Sequence, residues 1–146
     1  MDETGFLDVA DDLSTGAREA DWRSATSRAY YAAFHKARWL LWQSGFAVPQ
    51  GEQAHAYLWL RLSNADQPDV KSAGSDLGRL RSARNRADYD MNVPVDQAAA
   101  FDHVQVASDI IHLLDDLAKE TIIRDQVLDA IKVYERDVVR EVTWRP

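Results

Sequence analysis

The residues best suited to chemistry lie between Leu77 and Asp90, where the chain reads LGRLRSARNRADYD. Arg79, Arg81, Arg84 and Arg86 precede a short end of Asp88, Tyr89 and Asp90. On a helix, side chains three and four apart share a face, so Leu77, Leu80, Arg84 and Asp88 form one column. Arg84 therefore points where apolar residues point, towards a core or an interface. A guanidinium there cannot shed its charge and needs a carboxylate, a phosphate or several carbonyls. From Lys71 to Arg86 five basic residues face one acid, Asp76, a local +4 within a chain of net charge −7. The overall charge disfavours a broad nucleic-acid surface, while one basic strip suits a confined anion site. In the competing reading, the arginines pair with acids on neighbouring helices.

A helical bundle must position this stretch. Phe6, Leu7, Val9, Ala10 and Leu13 suggest a short first helix closing near Ser14-Thr15-Gly16. A second helix runs from about Ala20 to Ser44, stopped by Gly45. Its main apolar face holds Trp22, Ala25, Ala29, Tyr30, Ala33, Phe34, Ala37, Leu40 and Leu41, and Arg28, Tyr31, His35, Trp39 and Trp42 share the other side. A helix apolar nearly all round is central or faces a second subunit. Ala54 to Leu62 forms a third helix after a loop with Pro49 and Gly51. The fourth begins near Asp69, is weakened by Gly74 and Gly78, and ends near Tyr89. Ala99, Val106, Ile110, Leu113, Leu114 and Leu117 mark the apolar face of a fifth. Residues 119–146 form a C-terminal extension to the bundle of residues 1–118. Ile123, Val127, Ile131, Val138 and Val142 keep helical spacing there, as one helix or two, although 132–143 is β-branched enough for a strand. The extension's apolar stripe must pack on the bundle or on a partner.

Composition removes most other chemistries. A chain of 146 residues, 46% hydrophobic with five Trp and five Tyr, fits one folded domain. It contains no Cys, so disulfides, thiol catalysis and cysteine-held metals are excluded. His35, His55, His103 and His112 are scattered without metal-ligand spacing, and no metal or cofactor is expected. His103 reads as a hydrogen-bonded core histidine and His112 as solvated. His55, opening a helix, reads as a cap or surface residue. No phosphate-binding glycine loop, nucleophile elbow or HExxH occurs. The lack of Cys points to a reducing, cytoplasmic location, the acidic N-terminus shows no secretory apolar region, and no apolar run approaches membrane-spanning length, so a soluble protein is expected.

Two segments together resemble the HEPN domain family. Ser27-Arg28-Ala29-Tyr30-Tyr31-Ala32-Ala33-Phe34-His35-Lys36-Ala37-Arg38 is similar to the family's SRxYYAxFHxAR helix. Arg84-Asn85-Arg86-Ala87-Asp88-Tyr89-Asp90 is similar to the RNxADYD end of a later helix. The similarity covers about residues 5 to 118. It implies an all-α, up-and-down bundle of four to five antiparallel helices, commonly a homodimer. Many members are metal-independent ribonucleases, often toxins of toxin–antitoxin or defence systems paired with a small nucleotidyltransferase. Their motif is an arginine that steadies the scissile phosphate, a polar residue, and a histidine four to six positions after the arginine. Arg84 and Asn85 match its first half. Asp88, Tyr89 and Asp90 stand where the histidine belongs.

The resemblance thus implies a dimeric module with weak or no intrinsic catalysis. It binds RNA, a nucleotide or a partner protein through an Arg84-centred site that includes Arg79, Arg81, Arg86, Arg28 and Tyr31. One alternative is a ribonuclease using Arg84 and Asn85 with Asp88, Tyr89 or His35 as the proton-transfer group. His35 lies in line with Arg28 and Tyr31, where it would serve if that face met Arg84; packing or a dimer seam is its plainer role. In the other alternative, Arg84 sits in an ion pair that stabilises the fold or dimer.

Overall fold

A computed structural model describes residues 1–145 as an all-helical protein. Six α-helices follow in order: α1 (Glu3–Ser14), α2 (Glu19–Gln43), α3 (Gln53–Ser63), α4 (Pro68–Tyr89), α5 (Gln97–Lys119) and α6 (Thr121–Tyr134). Local sequence explains the starts. The Asp2 carboxylate accepts from the Thr4 amide, the Gln67 side chain from Val70 and the Asp96 carboxylate from Ala99, each meeting an amide that the first helical turn leaves unpaired. Pro68 opens α4, where its missing N–H costs nothing.

α2 is the central element and packs on α1, α4 and α5. Ala25, Ala29, Ala32, Ala33 and Ala37 are fully buried, and their small side chains let neighbouring helices approach closely. Tyr30, Phe34, Leu40 and Leu41 of α2 join Leu58, Leu62, Leu77, Leu80, Ile110 and Leu114 in the core. Lys36, also buried, ties three helices together, with Nζ 2.5 Å from Glu3 of α1 and 2.5 Å from Asp115 of α5. Its two carboxylate partners compensate the charge that burial would otherwise penalise.

Gly74 marks where α3 crosses α4. A Cβ there would stand 2.4 Å from the Ser63 backbone nitrogen, so only glycine permits this approach. The C-terminal end of α4 is held by Arg23 of α2. Its guanidinium donates to the carbonyls of Arg86 (3.3 Å), Ala87 (2.9 Å), Asp90 (3.1 Å) and Val93 (2.5 Å), while Glu19 balances its charge. Carbonyls that a helix end leaves orphaned are thus satisfied by one side chain. Nothing in the linear spacing marks Arg23 for that role.

The C-terminal segment resolves the alternatives left by its sequence. It is neither one long helix nor a strand of a sheet. Glu120 takes φ −97°, ψ 85°, which breaks α5 from α6. After α6 comes a π-helical turn (Glu135–Val139), then Arg140 in the left-handed region, then an extended tail. Phe46 and Trp144 form an isolated antiparallel bridge, supported by Ala47 N–H donating to Thr143 O (3.0 Å) and Arg145 N–H to Gly45 O (2.9 Å). Gly45, at φ +96°, is needed there, because a Cβ would meet the Arg145 carbonyl at 2.8 Å. Glu135 is the anchor. Fully buried, it accepts from Arg61 Nε (2.8 Å), the Thr143 amide (2.9 Å) and the Thr143 hydroxyl. Residues 121–145 therefore fold back on the bundle. No helix among the described residues is long and apolar enough to cross a membrane.

Candidate functional site

The basic strip of α4 divides between two faces. Residues two apart on a helix point about 200° apart, so Arg81 and Arg84 cannot share a face with Arg79 and Arg86. Arg79 is exposed and pairs with Asp76. Arg86 is exposed and lies along the α4–α5 groove with Asp102 and His103. Arg79 and Arg86 thus stand apart from Arg84, contrary to the single strip that the sequence suggests. Arg81 and Arg84 face α2 and α3.

Around Arg84 the sequence-derived residues do converge. Its Nη1 donates to Asn85 Oδ1 at 2.9 Å, and its Cζ lies 5.1 Å from the Tyr31 ring centroid and 5.5 Å from that of Tyr89. Arg28 approaches the same Tyr31 ring at 5.3 Å. Two guanidiniums on one aromatic ring satisfy the π-faces but not the N–H groups. Asp88 Oδ2 is 2.9 Å from Arg84 Nε and accepts a 3.1 Å hydrogen bond from Ser27. The Arg84 Nε–H does not point along that contact, so the two residues form an ion pair without a hydrogen bond. Arg81 pairs at 3.6 Å with Glu52, whose side chain is 85% exposed.

Acceptors are short at this site. Arg84 pairs with Asp88 and Arg81 with the loosely held Glu52, while Arg28 meets only the neutral Ser27 hydroxyl, at 3.5 Å, among the described residues. The Nε atoms of Arg81 and Arg84 are both buried and without a hydrogen-bond acceptor. Unpaired buried donors are uncommon and cost free energy, most of all on a charged group. An anion with several acceptor oxygens is the chemistry that such a cluster lacks.

The histidines depart most from expectation. His35 lies towards α1, stacked on Phe6 with ring centroids 5.3 Å apart. Tyr31 touches both residues, 6.2 Å from His35 on one side and 5.1 Å from the Arg84 guanidinium on the other. Within the protomer His35 is therefore not joined to Arg84. Phe6 covers that face of α2, and burial first, then Arg38, lower the His35 pKa. His55 behaves oppositely. Expected as a cap or surface residue, it is buried, hydrogen-bonded to Tyr30 and close to the Arg81 and Arg84 charges. Burial first, then Arg81 with Arg84 adding and Glu52 opposing, hold its imidazole below the ordinary histidine range. Its position after a loop, with alanines on either side, carried no signal of this. His103 accepts or donates at 2.9 Å with Thr26, and His112 is exposed. Tyr89 is 73% exposed at the edge of the site. No group of three or more His, Asp or Glu among the described residues is placed to hold a metal ion.

Fold and site together define an antiparallel helical bundle with an acceptor-poor arginine cluster at the end of its fourth helix. A family model described as the HEPN domain matches residues 6–117, and the chain belongs to that family. Its members are often ribonucleases or nucleotide binders and commonly dimerise. No curated protein and no solved structure matches the chain.

Proposed function

We propose that this protein is a HEPN module that binds the phosphate of RNA or of a nucleotide at Arg84, with weak or no cleavage of its own. The observation that carries this reading is an excess of cations at the site: three guanidiniums, of Arg28, Arg81 and Arg84, stand against two paired carboxylates, Asp88 and the loosely held Glu52. Arginine's planar fork suits phosphate oxygens, and Asn85 holds one arm of it in place. Tyr31 and the exposed Tyr89 flank the guanidinium and offer faces on which a base can stack. Weak cleavage follows from the residues at the motif's second half, where Asp88 is engaged by Arg84 and Ser27. The test is binding of a short single-stranded RNA and of AMP to wild type and Arg84→Ala, with helicity checked by circular dichroism. Loss of binding in the folded variant supports the proposal; undiminished binding refutes it. Robust RNA cleavage by wild type that disappears in Arg84→Ala would replace it with the ribonuclease reading.

A homodimer through the α1–α2 face fits the same proposal. Trp39 and Trp42 are 43% and 63% exposed beside the Phe6–His35 stack, and they line a cleft of about 960 Å³. Sedimentation of wild type and Trp42→Glu tests this, with a dimer expected only for wild type. A small nucleotidyltransferase is the protein partner that family membership suggests, and co-purification of the two chains would test it.

A further inference from the structure

Arg28 is the cation of the cluster with the least to pair with. Its guanidinium carbon lies 5.4 Å from the Phe6 ring centroid and 5.3 Å from that of Tyr31. Its one polar contact among the described residues is Nη2 donating to Ser27 Oγ at 3.5 Å, longer than an ordinary N–H···O bond. The Ser27 hydroxyl gives its own proton to Asp88 Oδ2 at 3.1 Å. A guanidinium carries five N–H donors, so most of those on Arg28 have no acceptor within the chain. The residue is half-buried, and those donors stay within reach of a ligand from solvent.

Two bridges join Arg28 to Arg84. The first is the Tyr31 ring, whose centroid is 5.3 Å from one guanidinium and 5.1 Å from the other, so the two cations stand no more than about 10 Å apart. The second is the run of contacts from Arg28 through Ser27 and Asp88 to Arg84, with steps of 3.5, 3.1 and 2.9 Å. Asp88 belongs to the Arg84 end of that run and reaches Arg28 only through a neutral hydroxyl. Once Asp88 is set against Arg84 and Glu52 against Arg81, the charge left over is that of Arg28. A guanidinium grips a phosphate best with two parallel N–H groups, so Arg28 and Arg84 are each equipped to hold one.

We infer that Arg28 holds a second phosphate, and that the site takes a ligand with two linked phosphate groups, one on Arg84 and the next on Arg28, bridged by Tyr31. This inference rests on the reading of the Arg84 cluster as a phosphate site. Two sources share the chemistry: successive diesters of one RNA strand, and the diphosphate of a free nucleotide. The contact at Arg28 adds attraction without the opposing carboxylate that a phosphate meets at Arg84.

The experiment compares ligands that differ by one phosphate, by NMR titration of wild type, Arg28→Gln and Arg84→Ala, with helicity checked for each. ApA carries one diester and ApApA two, both with free hydroxyl ends; AMP and ADP form the second pair. In wild type the added phosphate should tighten binding roughly tenfold to a hundredfold in at least one pair, the gain of one further charge-assisted contact. A step in the ApA–ApApA pair assigns the site to a strand, and a step in the AMP–ADP pair alone assigns it to a free nucleotide. In Arg28→Gln the step should shrink to a few-fold, the share left to a third base. Wild type supplies a check that needs no variant: within the pair that shows the step, log Kd should depend more steeply on log salt for the two-phosphate ligand, by roughly 0.7 for a strand. No step in either pair, equal salt dependence, or a step retained in folded Arg28→Gln overturns the inference while Arg84-dependent binding stands. Binding of every ligand unaffected by Arg84→Ala, or absent in wild type, overturns the phosphate reading and this inference together.

Discussion

Asp88→Asn should tighten RNA binding. The Asp88 carboxylate stands 2.9 Å from Arg84 Nε, and its side chain is 27% exposed, so it neutralises the guanidinium without being withdrawn from the ligand's approach. A phosphate gripping Arg84 would carry its charge about 5 Å from that carboxylate. At an effective dielectric of roughly 20–40, suited to a half-buried site, unit charges at that separation repel by about 2–3 kcal/mol. Relaxation and salt remove part of this, leaving a gain of roughly tenfold to a hundredfold in affinity. Asparagine keeps the shape and an oxygen for the Ser27 hydroxyl, so the fold should survive with a loss of about 0.5–1 kcal/mol from the lost ion pair. Fluorescence anisotropy with a labelled single-stranded RNA measures the affinity. Because the variant leaves Arg84 uncompensated until ligand arrives, RNA should also raise its melting temperature more than that of wild type. Equal or weaker binding by a folded Asp88→Asn protein would refute the reasoning, because Asp88 would then belong to the ligand contact or Arg84 to the fold alone.

Other substitutions test the frame that holds the site. Glu135→Gln removes one partner of a fully buried ion pair and should cost about 3–5 kcal/mol in urea unfolding, less when Arg61→Met is added; no difference between single and double variants would count against the pair. Burial pushes the Glu135 carboxyl up, but Thr143 and then Arg61 outweigh it and hold its pKa below the ordinary glutamate value. Its contribution is therefore complete above that ordinary value and is lost as pH falls through the lowered one, so the acid-unfolding midpoint should depend on Glu135. Gly74→Ala, usually favourable within a helix, should instead destabilise by about 1–3 kcal/mol because the new carbon meets the Ser63 backbone; a raised melting temperature would contradict this. Arg23→Ala should free the end of α4, seen as faster amide exchange from Ala87 to Val93 and weaker RNA binding.

The helices were legible because their signals are local. Apolar spacing, Gly45 and the proline-bearing breaks located α2 to α5 to within a few residues of their observed ends, and the Arg84-Asn85 segment with the α2 motif pointed to the HEPN family. Column spacing also made an Arg84–Asp88 ion pair available, since four residues on one helix determine that distance without help from any other element, and the pair is present. Helix periodicity separates Arg79 and Arg86 from Arg81 and Arg84, but the local pattern does not say which pair meets α2 and α3. Nor could it choose between one helix and two after Lys119, where the break comes from Glu120 and the tail is held by the Glu135 contacts.

By itself, then, the sequence determined the all-helical class, the order of elements and the presence of a charged cluster at the end of α4. Only the tertiary structure decided which side chains belong to that cluster. It turned Arg79 and Arg86 away, seated His35 on Phe6, and buried His55 against Tyr30 beside Arg81 and Arg84. Contacts between residues 25 or more positions apart depend on how helices cross, and helix crossing is set by packing of whole faces rather than by the spacing of any one motif.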